Sequence, residues 1–154
     1  MMTEQFRREW RNLTAGGAPV DVHKVVTLAS LVEKETAAPS ERPLIAAVFE
    51  NRLRHNMALQ CDPTVVYAAL RNNRYRGTIF RSDLANHDPY NTYLHTGLPP
   101  GPIANPGAQS LKAALHPAQA DYLYFVAKPG AVGQHTFSAT LGEHESAVKA
   151  YRGT

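Results

Sequence analysis

Glu33 and Glu35, separated by Lys34, close an apolar helical stretch that runs from Asp21 to Thr36. A carboxyl group works as a general acid when partial burial raises its pKa toward the working pH, and the end of an apolar helix is a place where that can happen. Helix ends also carry charges that are simply solvated. Helical geometry separates the two acids. At about 100° per residue Glu33 falls in line with Val22, Val26 and Ala29, whereas Glu35 falls near the edge of that side, beside Leu28. A general acid must touch both protein and substrate. Periodicity therefore ranks Glu35 first, with Glu33 the more buried of the two.

A second group of short polar side chains, Gln60, Asp62 and Thr64, stands in MALQCDPT ahead of another helical run. Asp62 reads equally as a helix cap with no further duty. Cys61 lies among them, but no paired His spacing supports a nucleophile. The third candidate is Tyr90-Asn91-Thr92-Tyr93, followed by Gly97-Leu98-Pro99-Pro100-Gly101. Tyrosine rings stack on sugar faces and Asn side chains hydrogen-bond acetamido groups, while the prolines hold such groups in place before binding. The same tyrosines could be buried anchors of a packed loop. The seven histidines are scattered and none forms an HExxH pair, so no metal is expected. GxGxxG, P-loop and GxSxG patterns are missing too, and no cofactor is expected.

These groups need a frame. At 154 residues the chain fits one domain with a sizeable core, and 44% hydrophobic with 19% charged residues excludes a disordered polymer. One Cys excludes an internal disulfide framework, and a net charge of +3 is too small and scattered to argue for nucleic acid. No apolar run reaches the ~18 residues of a membrane span.

Thr3 to Leu13 predicts an amphipathic helix with Phe6, Trp10 and Leu13 on one face, broken by Gly16, Gly17 and Pro19. In the Asp21–Thr36 helix, Val22, Val25, Val26, Ala29 and Val32 form the apolar face, with His23, Thr27, Ser30 and Lys34 pointing away. Ser40 is the expected cap of a third helix, and Asp62-Pro63 opens a fourth. Residues 86–107 read as a long, ordered Pro/Gly-rich loop. A short helix follows Asn105-Pro106 and ends at His116-Pro117. Tyr122 to Ala127 is a strand whose partner lies near Gln134 to Phe137, and Thr140 with Glu143 caps a last helix. The expected class is α+β: mainly helical, with a small antiparallel hairpin.

Taken in order, LASLVEKET, SERPLIAAVFENRLRHNMALQCDPTVVYAAL, NTYLHTGLPPGPIANPG, ALHPAQADYLYFVA and HTFSATLGEHESAVKAY closely resemble the catalytic domain of the endolytic murein transglycosylases, from about residue 21 to 151. The resemblance implies cleavage of peptidoglycan glycan strands between N-acetylmuramic acid and N-acetylglucosamine, within the strand, giving 1,6-anhydro ends and terminating nascent strands. It assigns catalysis to Glu35. Glu33, Gln60, Asp62, Thr64, Tyr90, Asn91 and Tyr93 are the expected substrate contacts. It further implies a catalytic domain over 21–154, excised from a parent tethered by an N-terminal transmembrane helix on the periplasmic side of the inner membrane. Residues 1–20 would be the remnant of the preceding segment. Peptidoglycan synthases are possible partners; nucleic acid is not. Cys61 departs from the family pattern, which usually has Thr there. A muramidase-like hydrolase, or a peptidoglycan-binding module without turnover, is the alternative.

Overall fold

A computed structural model describes residues 3–17 and 20–153; Pro19, expected to help break the first helix, lies outside them. Helix α1 (Glu4–Thr14) is capped by Thr3, whose hydroxyl accepts from the Phe6 amide at 3.1 Å. Its Phe6, Trp10 and Leu13 face packs on the core, as the periodicity predicts.

Helix α2 (Val22–Glu35) starts at Asp21, whose carboxylate accepts from the Lys24 amide at 3.2 Å. It lies centrally, against α3 (Arg42–Arg54), α4 (Asp62–Arg71) and α6 (Ala108–Leu115). Enclosure on so many sides corrects the expected polar face. His23 and Lys34 are exposed, but Thr27 and Ser30 are fully buried. Ser30 is satisfied internally, donating to the Thr27 carbonyl at 2.6 Å and accepting from the Ile103 amide at 3.0 Å. Leu31, Val32, Ile45, Phe49 and Leu111 fill the space between these helices. Each fully buried side chain of this kind contributes about 2 kcal/mol.

Ser40 caps nothing. Residues Pro39–Glu41 form a 3-10 turn that runs directly into α3. Helix α4 does begin at Asp62-Pro63, yet its N-cap is Cys61, and Asp62 occupies the first helical position without a capping bond. A four-residue helix α5 (Arg81–Leu84), not foreseen, follows. Residues 86–107 form turns and bends with no helix or strand. This loop is tied to α2 by three side chains on one stripe. His23 Nε2 bonds the Pro100 carbonyl at 2.7 Å, Ser30 takes the Ile103 amide, and Glu33 Oε1 accepts from the Gly107 amide at 2.7 Å. Spacings of seven and three residues keep them on one side of the helix.

Strands β1 (Tyr124–Ala127) and β2 (His135–Ser138) pair antiparallel with Phe125 opposite Phe137. Helix α7 (Leu141–Arg152), capped by Thr140, covers the hairpin. Polar side chains of α3 fasten the approach to β1: Asn51 Nδ2 donates to the Ala120 and Tyr122 carbonyls at 2.7 and 2.9 Å, and Arg52 Nε to Leu123 at 2.7 Å. The architecture is α+β, as the pattern of elements predicts.

Candidate active site

The C-terminal end of α2 meets α3, the segment before α4, the Tyr93 turn, β1 and α7 around a cleft of about 220 Å³. Glu35, Gln60, Asp62 and Tyr93, widely separated in sequence, line it together. A larger hollow of about 820 Å³ lies between α1, α2 and residues 102–108, but its lining holds a single acid, Glu9. The smaller cleft is the one that gathers two carboxyl groups, Glu35 and Asp62.

Glu35 is the last residue of α2 and only partly exposed. Burial, reinforced by the negative charge of Asp62, pushes its pKa up to about 7; a hydrogen bond from the Cys61 thiol acts in the opposite sense. That thiol lies 3.7 Å from Glu35 Oε1. Its own pKa is raised by burial and then by Glu35, so it stays protonated and remains a donor. Asp62 accepts a hydrogen bond from the Tyr93 hydroxyl. Burial and then Asp62 hold the Tyr93 phenol above its ordinary value, keeping it a neutral donor. The result is one acid poised to exchange a proton near neutrality, beside a second carboxyl group already engaged by a phenol.

Local backbone places these groups. Gln60 has φ of 50°, a left-handed conformation costing a non-Gly residue about 1–2 kcal/mol, and its amide donates to the Thr92 carbonyl at 3.2 Å. Below it, buried hydroxyls form a chain: the Cys61 amide donates to Thr92 Oγ1 at 2.9 Å, and Thr92 and Thr64 share a bond at 2.8 Å. Thr64 passes its own proton to the Cys61 carbonyl at 2.7 Å. This lattice anchors the Cys61–Asp62 corner to the Tyr93 turn.

It also corrects the expectation that Thr64 touches substrate, for Thr64 is wholly buried with its hydroxyl engaged. Asn91 is likewise 0% exposed; its amide donates to the Leu84 and Asn86 carbonyls at 2.9 and 2.7 Å, and its Oδ1 accepts from the Tyr93 amide at 3.0 Å. Tyr90 does not line the cleft: it packs on Tyr67 at 4.8 Å, with the Arg71 guanidinium 4.7 Å from its ring centre. Glu33 does not line it either, because its Oε1 takes the Gly107 amide and the Ser110 hydroxyl, the latter at 3.2 Å, at the start of α6. The positive end of that helix favours an anion there.

The cleft adds residues that sequence reasoning missed. Arg52, 8% exposed, donates through Nε to Leu123 and through Nη1 to the Ala58 carbonyl at 2.7 Å. Its guanidinium sits 5.0 Å from the Tyr124 ring centre, and His144 stacks on the same ring at 4.9 Å. Burial, followed by Arg52, lowers the His144 pKa and keeps the imidazole neutral. Arg52 and His144 sit on different helices and are brought together only by the hairpin, so no spacing along the chain announces them. Among the described residues no group of three or more His, Cys, Asp or Glu is arranged to hold a metal, and no helix is long and apolar enough to cross a membrane.

Residues 1–150 match the model of the YceG-like family. A protein of Bacillus subtilis (strain 168) named endolytic murein transglycosylase is 50% identical over 132 residues, covering 86% of this chain and 35% of that protein. One of the same name from Streptococcus pneumoniae serotype 2 is 40% identical over 108 residues, covering 69% and 20%. The crystal structure of a yceG-like protein from Listeria monocytogenes superposes with a TM-score of 0.74 at 43% identity, covering 92% of this chain and 43% of that one. The chain thus spans well under half the length of each of these relatives.

Proposed function

Since the chain belongs to the YceG-like family, we propose that it is the catalytic part, over residues 21–154, of a lytic transglycosylase that cuts peptidoglycan strands internally between N-acetylmuramic acid and N-acetylglucosamine. The names carried by its relatives support the substrate class. The observation that carries the reading is the cleft-lining Glu35 carboxyl with its pKa near 7.

Protonated Glu35 gives its proton to the glycosidic oxygen as the bond to the anomeric carbon breaks. The carboxylate so formed takes the proton of the C6 hydroxyl of the same muramic sugar, and O6 bonds to the anomeric carbon. A 1,6-anhydro end results, Glu35 is protonated again, and no water is used. One carboxyl suffices because the attacking hydroxyl is already part of the bound sugar, whereas a hydrolase needs a second group to activate water. Gln60, Asp62 and Tyr93 contact the sugars, with Tyr93 held by Asp62.

Such an activity belongs outside the cytoplasmic membrane, where nascent strands are made. Tethering of the parent by an N-terminal helix, and contact with peptidoglycan synthases whose products it would terminate, form part of the proposal. Glu35→Gln tests the core of it: purified peptidoglycan digested by the wild type yields anhydro products, lighter by one water than hydrolytic ones, and the variant yields none. Hydrolytic products from the wild type, or normal cleavage by the variant, would sink the proposal.

A further inference from the structure

The proton shuttle leaves one end of the cleft without a task. There Arg52 is, as a whole residue, more than nine-tenths buried, and two of its guanidinium nitrogens are tied to the Leu123 and Ala58 carbonyls. Its Nη2 takes no hydrogen bond partner, and no Asp or Glu lies within salt-bridge reach of it, among the described residues. A largely withdrawn cation with no carboxylate in ion-pair contact, although Glu35 and Asp62 line the same cleft, is costly, and neutral donors could hold the two carbonyls without that cost. The groups around it do not neutralise it: Tyr93 is a phenol bonded to Asp62, Tyr124 offers a ring face, and His144 is uncharged. The arrangement suits an incoming planar acceptor, which a guanidinium recognises by its fork of N–H groups.

We propose that Arg52 binds the lactyl carboxyl group that a muramic sugar carries on O3, and thereby selects that sugar over plain N-acetylglucosamine at the scissile position. The inference rests on the transglycosylase reading. The two sugars of the strand share their ring and acetamido group and differ at O3 alone, so a donor aimed at the lactyl carboxyl is the most economical way to set the register. Its acyl oxygen accepts whether the group is free or amide-linked to a peptide. In the correct register the bond on the muramic anomeric carbon faces Glu35; shifted by one sugar, a residue without the lactyl group would stand there.

The test is equilibrium binding to the inactive Glu35→Gln protein, by calorimetry, of two glycans of equal length: strands stripped of peptide, with free lactyl groups, and chito-oligosaccharides. The strands are expected to bind at least tenfold more tightly. Adding Arg52→Gln is expected to remove most of that preference, read as the ratio of the two affinities, and Arg52→Lys to keep part of it. An undiminished preference in the Arg52→Gln protein, or an equal loss for both glycans, overturns the inference. Because Arg52 also braces the walls, a second measurement covers an Arg52→Gln protein that fails to fold: strands whose carboxyl groups have been reduced to alcohols replace the variant. Against the Glu35→Gln protein they are expected to fall to the chito-oligosaccharide level, and unchanged affinity would refute the assignment. Glu35→Gln protein that binds neither glycan counts against the transglycosylase reading itself; equal binding of both counts against Arg52 alone.

Discussion

The Cys61 sulfur lies 3.7 Å from Oε1 of Glu35, a thiol donating to the acid that the mechanism needs protonated. A thiol is a weak donor, so it stabilises the carboxylate less than a hydroxyl would. Burial and then Asp62 press the pKa upward, while Tyr93, Arg52 and His144 complete the polar lining of the cleft. Cys61→Thr is expected to shift the falling limb of kcat/KM to lower pH, because a stronger donor favours ionised Glu35. Cys61→Ala should shift it to higher pH. Product formation measured between pH 5 and 9 checks both; limbs that coincide with the wild type would remove the thiol from the account.

The raised pKa of Glu35 also sets a sign for stability. Its folded value of about 7 stands above the ordinary 4.5 of a solvated glutamate, so the native state holds the proton more tightly than the unfolded chain. The associated stability is fully present below pH 4.5 and is lost as pH rises through 7. Glu35→Gln removes the titrating group. Relative to wild type the variant should gain stability on going from pH 4 to pH 8.5, by on the order of 3 kcal/mol. Urea unfolding at the two pH values measures it, and a difference that does not change with pH would contradict the buried acid.

Much of this frame is legible in the chain because local patterns act alone there. Asp21 caps α2, Pro63 opens α4, and the Tyr122–Ala127 run pairs as a hairpin. Periodicity likewise ranks Glu35 above Glu33 as the cleft-edge acid, since two residues on a helix differ by 200°. What stays hidden depends on long-range assembly. Thr27 and Ser30 read as solvent-facing because nothing in a 16-residue window tells that α3, α4 and α6 surround α2. Thr64, Tyr90 and Asn91 are polar or aromatic residues in turn-rich surroundings, which describes both a sugar site and a packed corner; burial of Thr64 and Asn91, and the packing of Tyr90 on Tyr67 and Arg71, separate the two. Arg52 and His144 meet through the hairpin, and each alone looks like a solvated helix charge.

Glu33 gives a clean contrast with its neighbour two residues on. Its carboxylate holds the first turn of α6 through Gly107 and Ser110. Glu33→Ala is expected to cost about 1–2 kcal/mol, in the range of a lost helix cap with its dipole interaction, while kcat stays within threefold of wild type. Thermal unfolding and anhydro-product assays run side by side check this. A stable protein with collapsed activity would move Glu33 into the chemistry.

Asn91 decides between the two readings of the tyrosine cluster. As a sugar contact, its loss would raise KM and leave stability alone. As placed, its amide nitrogen serves the Leu84 and Asn86 carbonyls and its oxygen holds the Tyr93 amide. Asn91→Ala leaves these buried groups without partners, each costing about 1–3 kcal/mol. Asn91→Asp is the sharper probe, since it turns an acceptor toward those carbonyls in place of the donor. Both variants should unfold at clearly lower urea concentration, Asn91→Asp the more so. Tyr93 should also lose its set position against Asp62, so activity should fall in proportion to that disorder rather than through KM alone. A variant as stable as wild type but weak in binding glycan strands would return Asn91 to the substrate.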